Sequence, residues 1–196
     1  MLRRMGGRVR QIRLRRAAVR YAVHDWAVVP GAARSGDRFR CVTGCPTVAI
    51  HPDWKDWQPT ATTDLDWVAT LWATRPRAIL LATGRTFDVL EVPAFLGTGA
   101  ARGAARGPVA VTGTGRWMFL VRPGARLRPE LAYRPDVVLH GPGSWIPAPP
   151  TRTTEGRVCW LVDPEEVHWQ LPDPAAVQAK LVAVLSGGPL ALPEAA

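Results

Sequence analysis

Two acids, Asp88 and Glu91, sit inside residues 79–93 (ILLATGRTFDVLEVP), a stretch whose other residues read as buried β-strand. An ionised carboxylate taken out of water is costly unless it is paired, hydrogen-bonded or bound to metal, so acids here point to a cation, a proton or a metal ion. Side chains alternate faces along a strand, which puts Asp88 with Val92 on one face and Glu91 with Val89 and Pro93 on the other. A metal-binding pair on one strand needs acids two apart. These are three apart, and the residue two after Glu91 is Pro93, which ligates nothing. Glu91 is therefore expected alone on its face, and Asp88 on the opposite face with a partner of its own.

A second constellation is Cys41, Cys45 and His51, a C-x3-C-x5-H cluster in a loop-like region. Thiolate and imidazole suit zinc, but three ligands at loose spacing fall short of the four a structural zinc takes, so zinc is not expected. Cys159 reads as an ordinary buried thiol on a core strand. Of the nine tryptophans, Trp26, Trp72, Trp117 and Trp160 fit core or strand positions. Trp54 and Trp57 stand among charged loop residues, where aromatic faces can stack on the bases of a single strand.

Length and charge bound the possibilities. At 196 residues and 47% apolar, the chain suits one domain with a real core. Its formal charge is +9, but the first twenty residues carry eight arginines and no acid, which leaves +1 for the remainder. Residues 1–16 thus read as a basic arm in which Arg8, Arg10, Arg13, Arg15 and Arg16 are candidates for contact with the phosphates of DNA or RNA. An acidic protein partner and an anionic membrane surface are the other classes such an arm suits. Arginine outnumbers lysine 23 to 2 amid abundant Ala, Gly and Pro, so GC-rich coding accounts for part of that excess. No run approaches the roughly 18 to 20 apolar residues of a membrane helix. Three cysteines are an odd number and too few for a disulfide framework, so a reduced, cytoplasmic setting is expected, with no membrane partner.

The elements that must position these residues follow from periodicity. Apolar residues at 18, 19, 22 and 23 predict a helix over 16–26, running into a short strand, AVVP, stopped by Pro30. Thr63 with Asp66 resembles a capping box opening a helix that ends near Arg75. Strands are expected at 78–82 and 86–92, then a weak helix or loop over 97–107. PVAVTGTGRWMFLVRPG reads as a hairpin with Gly113 and Gly115 at positive φ. Strands follow at 136–139, 144–148 and 157–162, a helix at 177–185, and a disordered tail over 187–196. This order argues for an α+β fold, a single domain over 17–186 with a mixed or antiparallel sheet flanked by helices.

Four features in fixed order carry a resemblance: HPDW at 51–54 with ATTD at 61–64; WATRPRAILLATG at 72–84; FDVLEVP with TGTGRWMFLV; and HGPGSWIPAPPT at 140–151. Together they resemble the primase-polymerase domain of the archaeo-eukaryotic primase superfamily, the bifunctional DNA primase/polymerase N-terminal module. The resemblance implies an archaeo-eukaryotic primase-like fold and template-directed phosphoryl transfer, with Mg or Mn held by carboxylates. It also implies an acid-x-acid pair on the central strand, which falls here on Glu91 and Pro93. The histidine after the glycine turn falls on Trp117, and the last acid falls on Val138, with Asp136 two residues earlier. Three of the four family catalytic positions are thus replaced, and catalysis is expected to be lost unless Asp88 or Asp136 reaches Glu91.

The remaining turns suit nucleotide binding: Gly84 and Arg85; Thr114, Gly115, Arg116 and Trp117; and His140. Trp145 is placed to fill space that a nucleotide would take. The leading expectation is a degenerate primase-polymerase-like module that binds nucleotide, nucleic acid or protein. The alternatives are an active metal-dependent primase or DNA polymerase with rearranged ligands, and a scaffold that binds only protein. Oligomeric state is not encoded.

Overall fold

A computed structural model describes residues 2–36, 38–47, 49–101 and 106–187, with the side chains of 2–6 and 35 excepted. The fold is α+β with two antiparallel sheets, as the order of predicted elements implies. The chain sorts into two compact units, residues 1–82 with 145–159, and residues 83–144 with 160–196. Among the described residues no helix is long and apolar enough to cross a membrane.

The first unit opens with α1 (Leu2–Val23), followed by β1 (Val28–Ser35), β2 (Arg38–Arg40), α2 (Leu65–Thr74) and β3 (Arg77–Ala82), and later receives β8 (Trp145–Pro147). Its sheet runs β2-β1-β3-β8. The basic stretch belongs to α1, a longer helix than 16–26. Leu14, Ala18, Tyr21 and Ala22 form its buried stripe, at the helical spacing that places them on one face. Gln11 fastens the same helix to the end of α2 by donating to the carbonyls of Trp72 and Ala73. Trp26 and Trp72 are fully buried, and Trp26 stacks on Tyr21 at 6.0 Å.

Two local expectations need correction in this unit. Pro30 does not stop β1. It sits opposite Ile79, whose N–H goes to Thr151 Oγ1 and whose carbonyl accepts from Ala148, so this pair exchanges no ladder bond and the missing proline donor is not needed. The cap of α2 is Asp64 rather than Thr63: its side chain accepts from the Trp67 N–H at 2.9 Å.

The second unit comprises β4 (Asp88–Val92), α3 (Ala94–Ala100), β5 (Val109–Val111), β6 (Trp117–Val121), α4 (Pro129–Ala132), β7 (Val138–His140), β9 (Cys159–Val162, whose first residue groups with the other unit) and α5 (Pro174–Leu185). Its sheet runs β7-β4-β6-β5-β9. Leu90, Val92, Phe119, Val121 and Val109 point from one face into a core completed by Leu96 and Ala100 of α3, Leu131 of α4, and Val177 and Leu181 of α5. The opposite face carries Val89, Glu91, Met118, Leu120 and His140, as the pairings Val89↔His140, Val89↔Leu120 and Glu91↔Met118 require. In the β5–β6 hairpin Gly115 has φ 78°, whereas Gly113 does not take positive φ. Cys159 is exposed on β9, an edge strand, and not a core thiol. Residues 102–105 of the expected 97–107 segment, and 188–196 of the expected tail, lie outside the described residues.

Candidate functional site

Alternation along β4 separates the two acids. Asp88 is buried on the helix-covered face, with Val121 directly opposite, and its Oδ2 accepts the Ala125 N–H at 2.8 Å. Its Oδ1 has no hydrogen-bond partner. Glu91, on the other face, is held from two sides. Arg116 Nε donates to Glu91 Oε1 at 2.7 Å, and Glu91 Oε2 lies 2.8 Å from His140 Nε2. Since an ionised carboxylate only accepts, that imidazole nitrogen carries the proton, and His140 Nδ1 is held 3.0 Å from Ser144 Oγ. Burial pushes the Glu91 carboxyl up, but the hydrogen bonds and charges of His140 and Arg116 outweigh it and hold Glu91 below the usual carboxylate range.

The turn that delivers Arg116 is built locally. Thr112 accepts the Gly115 N–H on its carbonyl and the Arg116 N–H on its Oγ1, while Thr114 pairs its hydroxyl with that of Thr112 at 2.7 Å. Trp117 is on the helix-covered face of β6, against Gly97 of α3, where an added Cβ would lie 2.3 Å from the indole. Gly84 has φ 93° and abuts Pro142, and Arg85 beside it is exposed. Gly84 and Arg85 precede the start of β4, whereas Thr114 to Arg116 lie beside its end. The structure therefore brings Arg116 and His140 to Glu91 and leaves Gly84, Arg85 and Trp117 elsewhere.

Asp136 feels the charge of Arg116, the guanidinium that holds Glu91, but is not gathered with Glu91 and His140 into one ligand cluster among the described residues. Arg134 grips it with two bonds, Nε to Oδ1 at 3.0 Å and a second guanidinium nitrogen to Oδ2 at 2.7 Å, and this pairing keeps its carboxyl below the ordinary value. No third acid, histidine or cysteine completes a ligand set around Glu91 among the described residues. Hard divalent cations select several free oxygen ligands. Both Glu91 oxygens are paired, Asp88 is on the opposite face of β4 and Asp136 is paired with Arg134, so in this arrangement these acids form no ligand cluster of three or more among the described residues.

In the first unit, Cys41, Cys45 and His51 do converge, their ligand atoms all within 4.8 Å of one another. Burial pushes the Cys41 thiol up, but hydrogen bonding with Thr43, His51 and Cys45 outweighs it and brings the value down to about 6. Cys45 and His51 border a groove of about 470 Å³ lined also by Trp54, Trp57 and Trp145, so the two loop tryptophans singled out for stacking share one surface with Trp145.

The basic helix carries Arg8, Arg13, Arg15 and Arg16 exposed. Arg10 is partly buried on the packed side, near Arg34 of β1 and Arg152 after β8; burial and then the repulsion of these two guanidinium groups lower its pKa. No acid pairs with Arg10, Arg34 or Arg152 among the described residues. Sequence reasoning missed Arg34 and Arg152, which lie far from Arg10 along the chain and carry no local signal. It also missed the buried Asp53, which pairs with Arg75 and with Arg77 Nε at 3.0 Å while accepting the Val42 N–H at 3.0 Å. The signal available was an arginine on each side of Pro76 at the mouth of an apolar strand.

An α+β chain on antiparallel sheets, with a strand-borne acid between an arginine turn and a histidine, is the class these features define. The chain belongs to the bifunctional DNA primase/polymerase N-terminal family, whose pattern matches residues 18–175. That is a family of primase/polymerase-like nucleotidyltransferases, typically metal-dependent, and it is the family the sequence resembles. No curated protein matches the chain, and no solved structure matches it.

Proposed function

We propose that this primase-polymerase domain no longer transfers nucleotides and serves as a nucleic-acid-binding module. The observation that carries the reading is the state of Glu91: its two oxygens are taken by Arg116 and His140, and among the described residues no metal-sized cluster of three or more ligands includes it. A metal-dependent transferase needs oxygen ligands free to bridge the ion and the triphosphate. Arg116 and His140 supply instead the cationic partner that a metal would have been. Support for binding comes from Arg10, Arg34 and Arg152, which crowd together with no acid paired to them among the described residues, an arrangement that polyanionic phosphate relieves.

The test is incorporation of deoxynucleotides on a primed template with magnesium or manganese, run beside a DNA-binding titration. No incorporation, together with salt-dependent DNA binding, is the expected result. Incorporation that disappears in Glu91→Ala would overturn the reading in favour of a working polymerase with rearranged ligands. Failure to bind DNA, RNA or nucleotides at physiological salt would favour a protein-only scaffold.

A further inference from the structure

We propose that Cys41, Cys45 and His51 hold one zinc ion, with a fourth coordination position open to solvent or to a group entering the tryptophan-lined groove. This departs from the count of ligands in the sequence, where three residues at loose spacing fall short of a closed structural site. The folded loop removes the looseness. Cys45 Sγ lies 3.1 Å from Cys41 Sγ and 3.0 Å from His51 Nε2. Tetrahedral zinc, with bonds of about 2.3 Å to sulfur and about 2.0 Å to nitrogen, separates such atoms by roughly 3.5 to 3.8 Å, so entry of the ion asks for a shift of about half an ångström.

The surroundings prepare the ligands for a metal. His51 Nδ1 lies 2.7 Å from the Ala49 carbonyl, an acceptor only, so Nδ1 keeps its proton and Nε2, on the Cys45 side, is the nitrogen left to ligate once metal entry displaces any proton there. A ligating histidine fixed through its other nitrogen in this way is the usual support of a metal site. The Cys45 N–H points at Cys41 Sγ at 3.3 Å across a turn made by Gly44 at φ 66°. Both ends of the loop are tied to β1: Arg40 pairs with Ala33, and the Ala32 N–H donates to the His51 carbonyl at 2.9 Å. Thiolate with imidazole is a soft, mixed donor set that favours zinc over magnesium or manganese. Because Cys45 and His51 line the groove, the open side of the site faces Trp54, Trp57 and Trp145.

The full chain, stripped with a chelator under reducing conditions, is titrated with zinc against a chromophoric competitor and separately with cobalt. Expected are one equivalent of either metal and a cobalt spectrum with sulfur-to-metal charge transfer and tetrahedral d–d bands. Cys45→Ser and His51→Gln should each weaken binding by more than about 100-fold, beyond what removing a merely supporting group does, while Cys159→Ser leaves it unchanged. Should a ligand variant fail to fold, alkylation of the unaltered chain decides: zinc protects Cys41 and Cys45 but not the exposed Cys159. Substoichiometric zinc, binding unaffected by Cys45→Ser, alkylation indifferent to zinc, or a Cys41–Cys45 disulfide that persists in zinc-saturated protein would each overturn the proposal.

Discussion

Glu91 takes its character from side chains that other parts of the chain deliver to it. Its low pKa arises from the folded neighbours Arg116 and His140, so its contribution to stability is complete above the unfolded carboxylate value and is lost as pH falls through the folded one. Urea unfolding of the native chain and of Glu91→Gln should therefore differ at neutral pH, and the difference should shrink as pH falls below the ordinary glutamate value of about 4.3. Glu91→Ala leaves two half-buried cationic or polar groups unpaired and is expected to cost about 1–3 kcal/mol. The separation of Asp88 from Glu91 was legible in the sequence because a strand's alternation is a local rule. That His140 and Arg116 close on Glu91 was not, since those partners come from β7 and from the turn before β6.

At the scale of elements, the strands and the later helices were readable because apolar runs and glycine turns mark them, while their ends depended on particular bonds. Asp64 took the cap from Thr63, and Pro30 passed through β1 because its place in the register needs no donor. Edge position was invisible too, which is why Cys159 is exposed. Two substitutions probe these joints. Gly84→Ala forces a side chain into left-handed backbone with its Cβ 2.2 Å from the Pro142 Cα, so it should lower the unfolding midpoint far more than an exposed Gly→Ala does, by on the order of several kcal/mol. Asp53→Ala strands Arg77 in the interior without its carboxylate. A loss of about 3–5 kcal/mol is expected, measurable by denaturant unfolding.

For the molecule as a whole, charge is distributed so that nearly all of the +9 resides in the first helix. Truncating residues 1–16 would remove buried Leu14 along with the arginines, so charge is better tested by substitution. Replacing Arg10, Arg34 and Arg152 with Gln should flatten the dependence of log affinity for DNA on log salt by up to about 2 to 3 units, at roughly 0.7 to 0.9 for each phosphate no longer neutralised. An unchanged slope would place the binding surface elsewhere.

The chain crosses between its two units at residues 82/83, 144/145 and 159/160, so neither is a contiguous piece of sequence. On the ribosome, β3 emerges long before β8, the strand that pairs with its outer edge. For more than sixty residues of synthesis that edge has no mate, and an unmatched hydrophobic strand invites mispairing. A nascent chain arrested before residue 145 should therefore lean on chaperones in a way that one arrested beyond residue 160 does not.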